Sequence, residues 1–160
     1  MARDKFFGKN GAIHAIMRNK QKMPDMPKKK QFERIRDYIK KQFDVSAEHL
    51  WRIYPEYMVF RDATHGKWFG IIMNVPASRL GRENSNEIIY VLNIHVAPSI
   101  VATILPAGRF MPGYHMNKSS WTSILLNEEL DDNEIRPLIM ASYDSVALKP
   151  ARRHTGKPNR

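Results

Sequence analysis

The longest apolar run in the chain, Trp68 to Met73, has the length of one β-strand, and the stretch around it, Lys67 to Val75, is apolar at odd and even positions alike. Successive strand residues face opposite sides of a sheet, so a strand that is apolar on both sides must be covered on both sides. The chain is therefore expected to build a sheet with Lys67–Val75 at its centre. A bilayer-spanning helix needs about 20 apolar residues, and no run approaches that, so no membrane partner is expected.

The segments around this strand supply its neighbours. Tyr57–Phe60 is a strand-length run, separated from Lys67 by the turn-forming Asp62-Ala63-Thr64-His65-Gly66, which predicts a hairpin. Ile88–Leu92 is β-branched and aromatic and predicts a third strand after the polar connection 76–86. Two more strands are expected near Phe110–Met116 and Trp121–Leu126, joined by Asn117-Lys118-Ser119-Ser120. Helical periodicity appears in three places. Phe32, Ile35, Ile39 and Phe43 form one stripe from Gln31 to Phe43, with Asp37 and Lys41 as an exposed pair. Ser46 is expected to open a short turn over Ala47–Leu50 before Pro55. Pro98 starts a second helix carrying Ile100, Val101, Ile104 and Leu105. A last helix should open near Asp131 or Asp132, with Pro137 making its first turn irregular. The order is α-β(3)-α-β(2)-α. It predicts an α+β two-layer sandwich, an antiparallel sheet with helices mainly on one face.

A formal charge of +10 on 160 residues suggests nucleic acid until its placement is considered. Residues 1–30 hold nine lysines and arginines against two acids, a balance of +7, and residues 148–160 hold five and no acid, +5. The stretch between carries −2. This divides the chain into a basic N-terminal extension (1–30), a near-neutral domain (31–147) and a basic C-terminal tail (148–160). A short helical piece over Ala12–Asn19 is compatible with the spacing of Ile13, Ile16 and Met17. The segment Gly11–Met17, broken by His14, is too short for a signal-peptide core, and the chain has no cysteine, so a cytoplasmic protein is expected.

Several stretches together resemble the MmcQ/YjbR family, over about three quarters of the chain. They are Leu50-Trp51, Pro55, Tyr57 and Val59-Phe60-Arg61, then Lys67-Trp68-Phe69, Val75-Pro76 and Leu80-Gly81, and Ser142-Tyr143 in the last helix. The most specific is Pro112-Gly113-Tyr114-His115-Met116-Asn117-Lys118-Ser119-Ser120-Trp121, which is similar to the family's Y-H-M-N-K-x-x-W signature. The resemblance implies a YjbR-like, secretion-chaperone-like fold, and a DNA-binding role with a double-wing mode of contact. Two positions depart from the pattern. The family's K-C-D-P stretch is His95-Val96-Ala97-Pro98 here, and Lys118 is followed by Ser119 and Ser120 in place of a charged residue. Both changes remove charge from the core.

Candidate nucleic-acid contacts are the aromatic and donor residues Tyr114, His115, Asn117, Lys118 and Trp121, a mixture that can stack bases and hold phosphates. Tyr114, Met116 and Trp121 equally suit the core of a hairpin, with Asn117 and Lys118 serving its turn. Lys67 and Arg109, at strand starts, could share a surface with Lys118 or be solvated edge charges. Lys28, Lys29, Lys30, Arg152 and Arg153 supply basic ends for backbone phosphate. The six histidines show no metal-ligand spacing, although His95 and His115 could meet across the sheet, and Glu128, Glu129, Asp131, Asp132 and Glu134 are explained by helix capping. No nucleophile elbow, P-loop or dinucleotide fingerprint is present, so neither an enzyme nor a cofactor or metal is expected. The leading expectation is a non-enzymatic DNA-binding accessory protein. The alternative is a protein-interaction or small-ligand module using the sheet face.

Overall fold

The structure, a computed structural model, describes residues 28–82, 85–105 and 108–148. The expected helix at Ala12–Asn19 and the basic Arg152 and Arg153 lie outside them. Helix α1, Gln31–Phe43, forms where the apolar stripe predicts it, with Ile35 and Ile39 fully buried. Its first turn is closed by Glu33, which accepts from the Lys30 N–H at 2.8 Å, and it ends at Asp44 in the left-handed conformation (φ 53°) that Asp tolerates. Asp37 does not pair with Lys41; it binds Lys29 at 2.6 Å and Arg36 at 2.9 Å. Nor is Ala47–Leu50 a helical turn. Glu48 and Val59 exchange two backbone bonds of 2.9 Å, so this piece lies as a bridge along the sheet edge.

The sheet contains β1 (Met58–Arg61), β2 (Trp68–Pro76), β3 (Ile88–His95), β4 (Met111–Pro112) and β5 (Trp121–Leu125), in the spatial order β1-β2-β3-β5-β4 with every neighbour antiparallel. A 3₁₀ turn, Ala77–Leu80, follows β2. Helix α2, Pro98–Ile104, begins on its proline, and helix α3 spans Asp132–Ala147. The expected element order is therefore found, with one strand much shorter. Only two residues of Phe110–Met116 are strand: the Gly113 N–H makes one last bond to the Trp121 carbonyl (3.1 Å), and the Asn93 side chain then takes both the N–H and the carbonyl of Tyr114, drawing the chain out of the ladder.

Helices α1 and α3 cover one face of the sheet. Between them and the strands lie Phe60, Phe69, Ile72, Leu92, Ile94, Ile124, Ile135 and Ile139, all fully buried. β2 carries a bulge there. Phe60 pairs with Gly70 and Arg61 with Trp68, leaving Phe69 outside the register of both neighbouring strands. Its ring packs against Phe43 (5.2 Å) and Tyr143 (5.0 Å). Its carbonyl accepts from the Ser142 hydroxyl (2.5 Å), which in turn accepts from the His95 N–H (2.8 Å). One buried serine thus ties α3 to both central strands.

α3 is regular from its first residue, contrary to the expectation from Pro137. Asp131 accepts from the Asn133 N–H at 2.8 Å and Glu134 from the Asp131 N–H at 3.0 Å, a reciprocal cap. The carbonyl that Pro137 leaves without a donor belongs to Asn133, which is exposed to water, so the helix runs on. The acidic cluster does more than cap. Arg34 of α1 binds Asp132 (2.7 Å) and Glu128 (2.7 Å), and Gln31 donates to the Leu130 carbonyl (2.7 Å), latching the two helices together. The carboxylate partners hold the Arg34 guanidinium above its ordinary value, and Arg34 holds Asp132 below its own.

The β1–β2 turn is organised by a buried carboxylate. Asp62 accepts from the N–H groups of Thr64 (3.0 Å), His65 (2.7 Å) and Lys67 (2.7 Å). Burial alone would raise its pKa, but the three backbone donors outweigh it and hold the group below the usual carboxylate range. A carboxyl depressed in this way stabilises the folded state above its unfolded pKa of about 3.9, and that contribution disappears as pH falls through the folded value. Asp62→Asn, which lacks the second acceptor oxygen, should melt below the wild type at neutral pH. The gap should close as pH drops below about 4. Melting curves of both proteins across that range test it, and a gap independent of pH would contradict this account.

Candidate binding cleft

The face of the sheet opposite α1 and α3 is also apolar. Val59, Ile71, Met73, Val75, Val91 and Trp121 are buried on it, beneath two loops. The first, Trp51–Tyr57, joins the bridge residue Glu48 to β1. It folds on itself, with Tyr54 N–H donating to the Trp51 carbonyl (3.2 Å) and Tyr57 N–H to the Tyr54 carbonyl (3.1 Å). His49 Nδ1 donates to the Pro55 carbonyl at 2.7 Å. Trp51 stands edge-on to Tyr57 and to Trp68, each 5.9 Å away, while Tyr54 stacks on Tyr57 at 4.7 Å. The Arg61 guanidinium lies over the Trp68 ring at 5.5 Å.

The second loop is the segment after β4. Gly113 can be nothing larger without movement, because a Cβ there would sit 2.7 Å from Trp121 Cβ and 3.0 Å from the Trp121 carbonyl oxygen. Beyond it the chain crosses β5 and is fastened to β3. The Asn93 side chain, fully buried, accepts from the Tyr114 N–H (3.1 Å) and donates to the Tyr114 carbonyl (3.2 Å), as a neighbouring strand would. Ser123 of β5 accepts from the same N–H at 2.8 Å and donates to Asn93 Oδ1 at 2.5 Å. His115 follows in the left-handed region (φ 54°), with its ring against Tyr114 at 4.1 Å. Asn117 accepts from the Ser119 N–H, and Lys118 donates to the Gly113 carbonyl, closing the loop.

Between these loops opens a cleft of about 360 Å³, lined by Trp51, Tyr54, Tyr57, Trp68, Ile71, Met73, His115 and Met116. Its walls are flat rings and thioethers, and the polar groups of its lining side chains are an imidazole, phenols and indole N–H groups. Burial pushes the Tyr57 phenol above its ordinary pKa, which keeps it neutral. Such a site can bury a flat or branched apolar group and orient it with a few hydrogen bonds. No group of three or more His, Asp or Glu side chains that could hold a metal ion occurs among the described residues, and none of their helices is long and apolar enough to cross a membrane.

The residues singled out in the sequence are dispersed by the fold. His115 lines the cleft, and Tyr114 packs behind it. Asn117 and Lys118 shape the loop, and Trp121 is core, 8% exposed and edge-on to His95. Lys67 is exposed in the hairpin, next to Trp68. Arg109 does not join it: it binds Glu134 at 2.9 Å and lines a separate cleft of about 240 Å³ with Arg82 and Leu130. Lys29 is paired with Asp37, and Lys28 lines a groove with Asp131 and Asp132, so these cations lie among acids. His95 binds Ser145 of α3 through Nδ1 (2.8 Å), whereas His115 faces the cleft. Trp51, Tyr54, Tyr57 and Trp68 were not expected in a site. Their signal was three aromatics within seven residues, and that of Asn93 was one amide inside the apolar run Val91–Ile94.

Comparison with known proteins gives one consistent result. The family model described as YjbR matches residues 41–145. Uncharacterized protein YyaQ of Bacillus subtilis (strain 168) is 35% identical over 111 residues, which cover 69% of this chain and 93% of that protein. Uncharacterized protein YbdF of Escherichia coli O157:H7 is 32% identical over 110 residues, covering 67% and 78%. A crystal structure of a protein from Pseudomonas syringae superposes with a TM-score of 0.66 at 34% identity, covering 71% of this chain and 96% of that one.

Proposed function

The chain belongs to the YjbR family, and from that premise we propose that it is a cytoplasmic, non-enzymatic binding module whose cleft receives an apolar or aromatic group of a partner or small molecule. The observation that carries this reading is the pocket of four aromatic side chains on the sheet face opposite α1 and α3, which no long helix covers among the described residues, roofed by a loop that the buried Asn93 holds in place.

Two of the chain's three tryptophans, Trp51 and Trp68, line the cleft, so occupancy can be read directly. Anilinonaphthalene sulfonate should bind saturably and quench tryptophan emission. Trp51→Ala, checked for folding by circular dichroism, should weaken that binding about tenfold. Wild-type protein that neither quenches nor saturates would reject the cleft as a binding site.

A second reading, DNA binding, is favoured by the charge placement, +7 in residues 1–30 and +5 in residues 148–160. In it Lys28, Lys29, Lys30, Arg152 and Arg153 hold phosphate, and Lys67 and Lys118 add contacts. The slope of log affinity against log salt should be about −0.9 per neutralised phosphate on duplex DNA, and removal of both end segments should flatten it. Absence of binding at low salt would reject this reading.

A further inference from the structure

The surface beside the cleft carries what the cleft could receive. Residues 52–56 are exposed without interruption, and Ile53 among them is 78% exposed, on a loop whose hydrogen bonds already fix its shape. Leu50 and Tyr54 add partly exposed apolar surface on either side. An aliphatic side chain held this far into water beside an open apolar cleft is a projection and a recess on one patch. Trp51 and Tyr54, which flank Ile53 in sequence, wall that recess, and Ile53 itself does not line it.

The flanking charges match the same pattern. Arg52 precedes Ile53 and Glu56 follows it, and neither makes an ion pair with another described residue. A patch that contains its own complement is what an isologous two-fold interface requires, since residue i of one copy meets j of the other and j meets i. We infer that the partner is a second copy of this chain: two molecules meet across a two-fold axis, each placing Ile53 in the other's cleft, with Arg52 of each copy opposite Glu56 of the other. This rests on the cleft being a binding site and names its occupant. The rings and the loop are in place before association, so little ordering opposes it.

Sedimentation velocity on the full chain, from micromolar to near-millimolar protein at low salt, tests the inference. Wild type should pass from monomer to dimer with no larger species. Ile53→Asp, at a solvent-exposed position, should fold normally and weaken dimerisation about a hundredfold, about tenfold for each of the two related contacts. It should still bind anilinonaphthalene sulfonate in the cleft. Arg52→Glu and Glu56→Arg should each weaken self-association a few-fold, about what rim charge pairs contribute. An equimolar mixture of the two should dimerise again, because both cross-axis pairs are then complementary. A chain that stays monomeric throughout, an Ile53→Asp variant that dimerises like wild type, or a charge-reversed mixture that fails to recover would each overturn the inference. A monomeric wild type that still binds the probe would overturn it alone, leaving the cleft reading intact; loss of probe binding by wild type and Ile53→Asp alike would remove both.

Discussion

Phe69→Ala should lower the free energy of unfolding by about 3–5 kcal/mol. Three contributions meet at this residue. Its ring is fully buried and lies against Phe43, Phe60 and Tyr143, so its removal leaves a cavity bounded by α1, α3 and β1 that rigid aromatic neighbours cannot fill. It is also the extra residue of the β2 bulge, and without its ring the anchor that turns it towards the helices is lost. Finally, its carbonyl receives the Ser142 hydroxyl, so a shift of the bulge would disturb the tie between α3 and the sheet. For a domain of this size the melting temperature should fall by about 10–20 °C. Denaturant titration gives the free energy directly, and a loss below about 1 kcal/mol would show that the core closes around the gap.

Asn93→Leu should cost about 2–4 kcal/mol although it replaces a polar core residue with an apolar one of similar size. The Tyr114 carbonyl would lose its amide donor, the Ser123 hydroxyl would keep only the longer bond to the Pro112 carbonyl (3.3 Å), and the Tyr114 N–H would keep only Ser123. Unpaired groups in a buried place are more costly than a missing hydrogen bond is beneficial. The more telling effect is on the cleft, since the same clamp positions His115 and Met116 as its roof. Binding of the naphthalene probe should fall along with stability. Destabilisation with unchanged probe affinity would separate the clamp from the cleft and show that the roof is held by Gly113 and Lys118 instead.

The parts of this fold that were legible in the sequence are those fixed by neighbours in the chain. The stripe Phe32, Ile35, Ile39, Phe43 specifies α1, and the turn residues 62–66 specify the first hairpin, because each pattern is complete within a dozen residues. β4 was overextended for the opposite reason. Phe110–Met116 has the length and aromatic content of a strand, yet what decides the path after Pro112 is an amide on β3, about twenty residues away. The cleft was illegible on the same grounds. Trp51 and Tyr54 precede the first expected strand and Tyr57 opens it, and only the pairing of β1 with β2 brings Trp68 beside them. In the signature Tyr114–Trp121, most residues fold the loop, and His115 and Met116 alone reach the cleft. The surroundings of Lys28 and Lys29 were illegible for the same reason, since helices bring Asp37 to Lys29 and place Asp131 and Asp132 in the groove that Lys28 lines.

The two-residue β4 has a further bearing on how the protein behaves when concentrated. An open sheet offers its outermost strands as templates, and chains that present long, regular borders recruit further strands and grow into fibrils. Here one border ends at a proline that offers no donor, and the other is occupied along Val59 by Glu48. Among the described residues neither rim is a continuous ladder, so the sheet itself resists templated growth. Any ordered association is left to side chains on the faces, where it can stop at a closed number of copies.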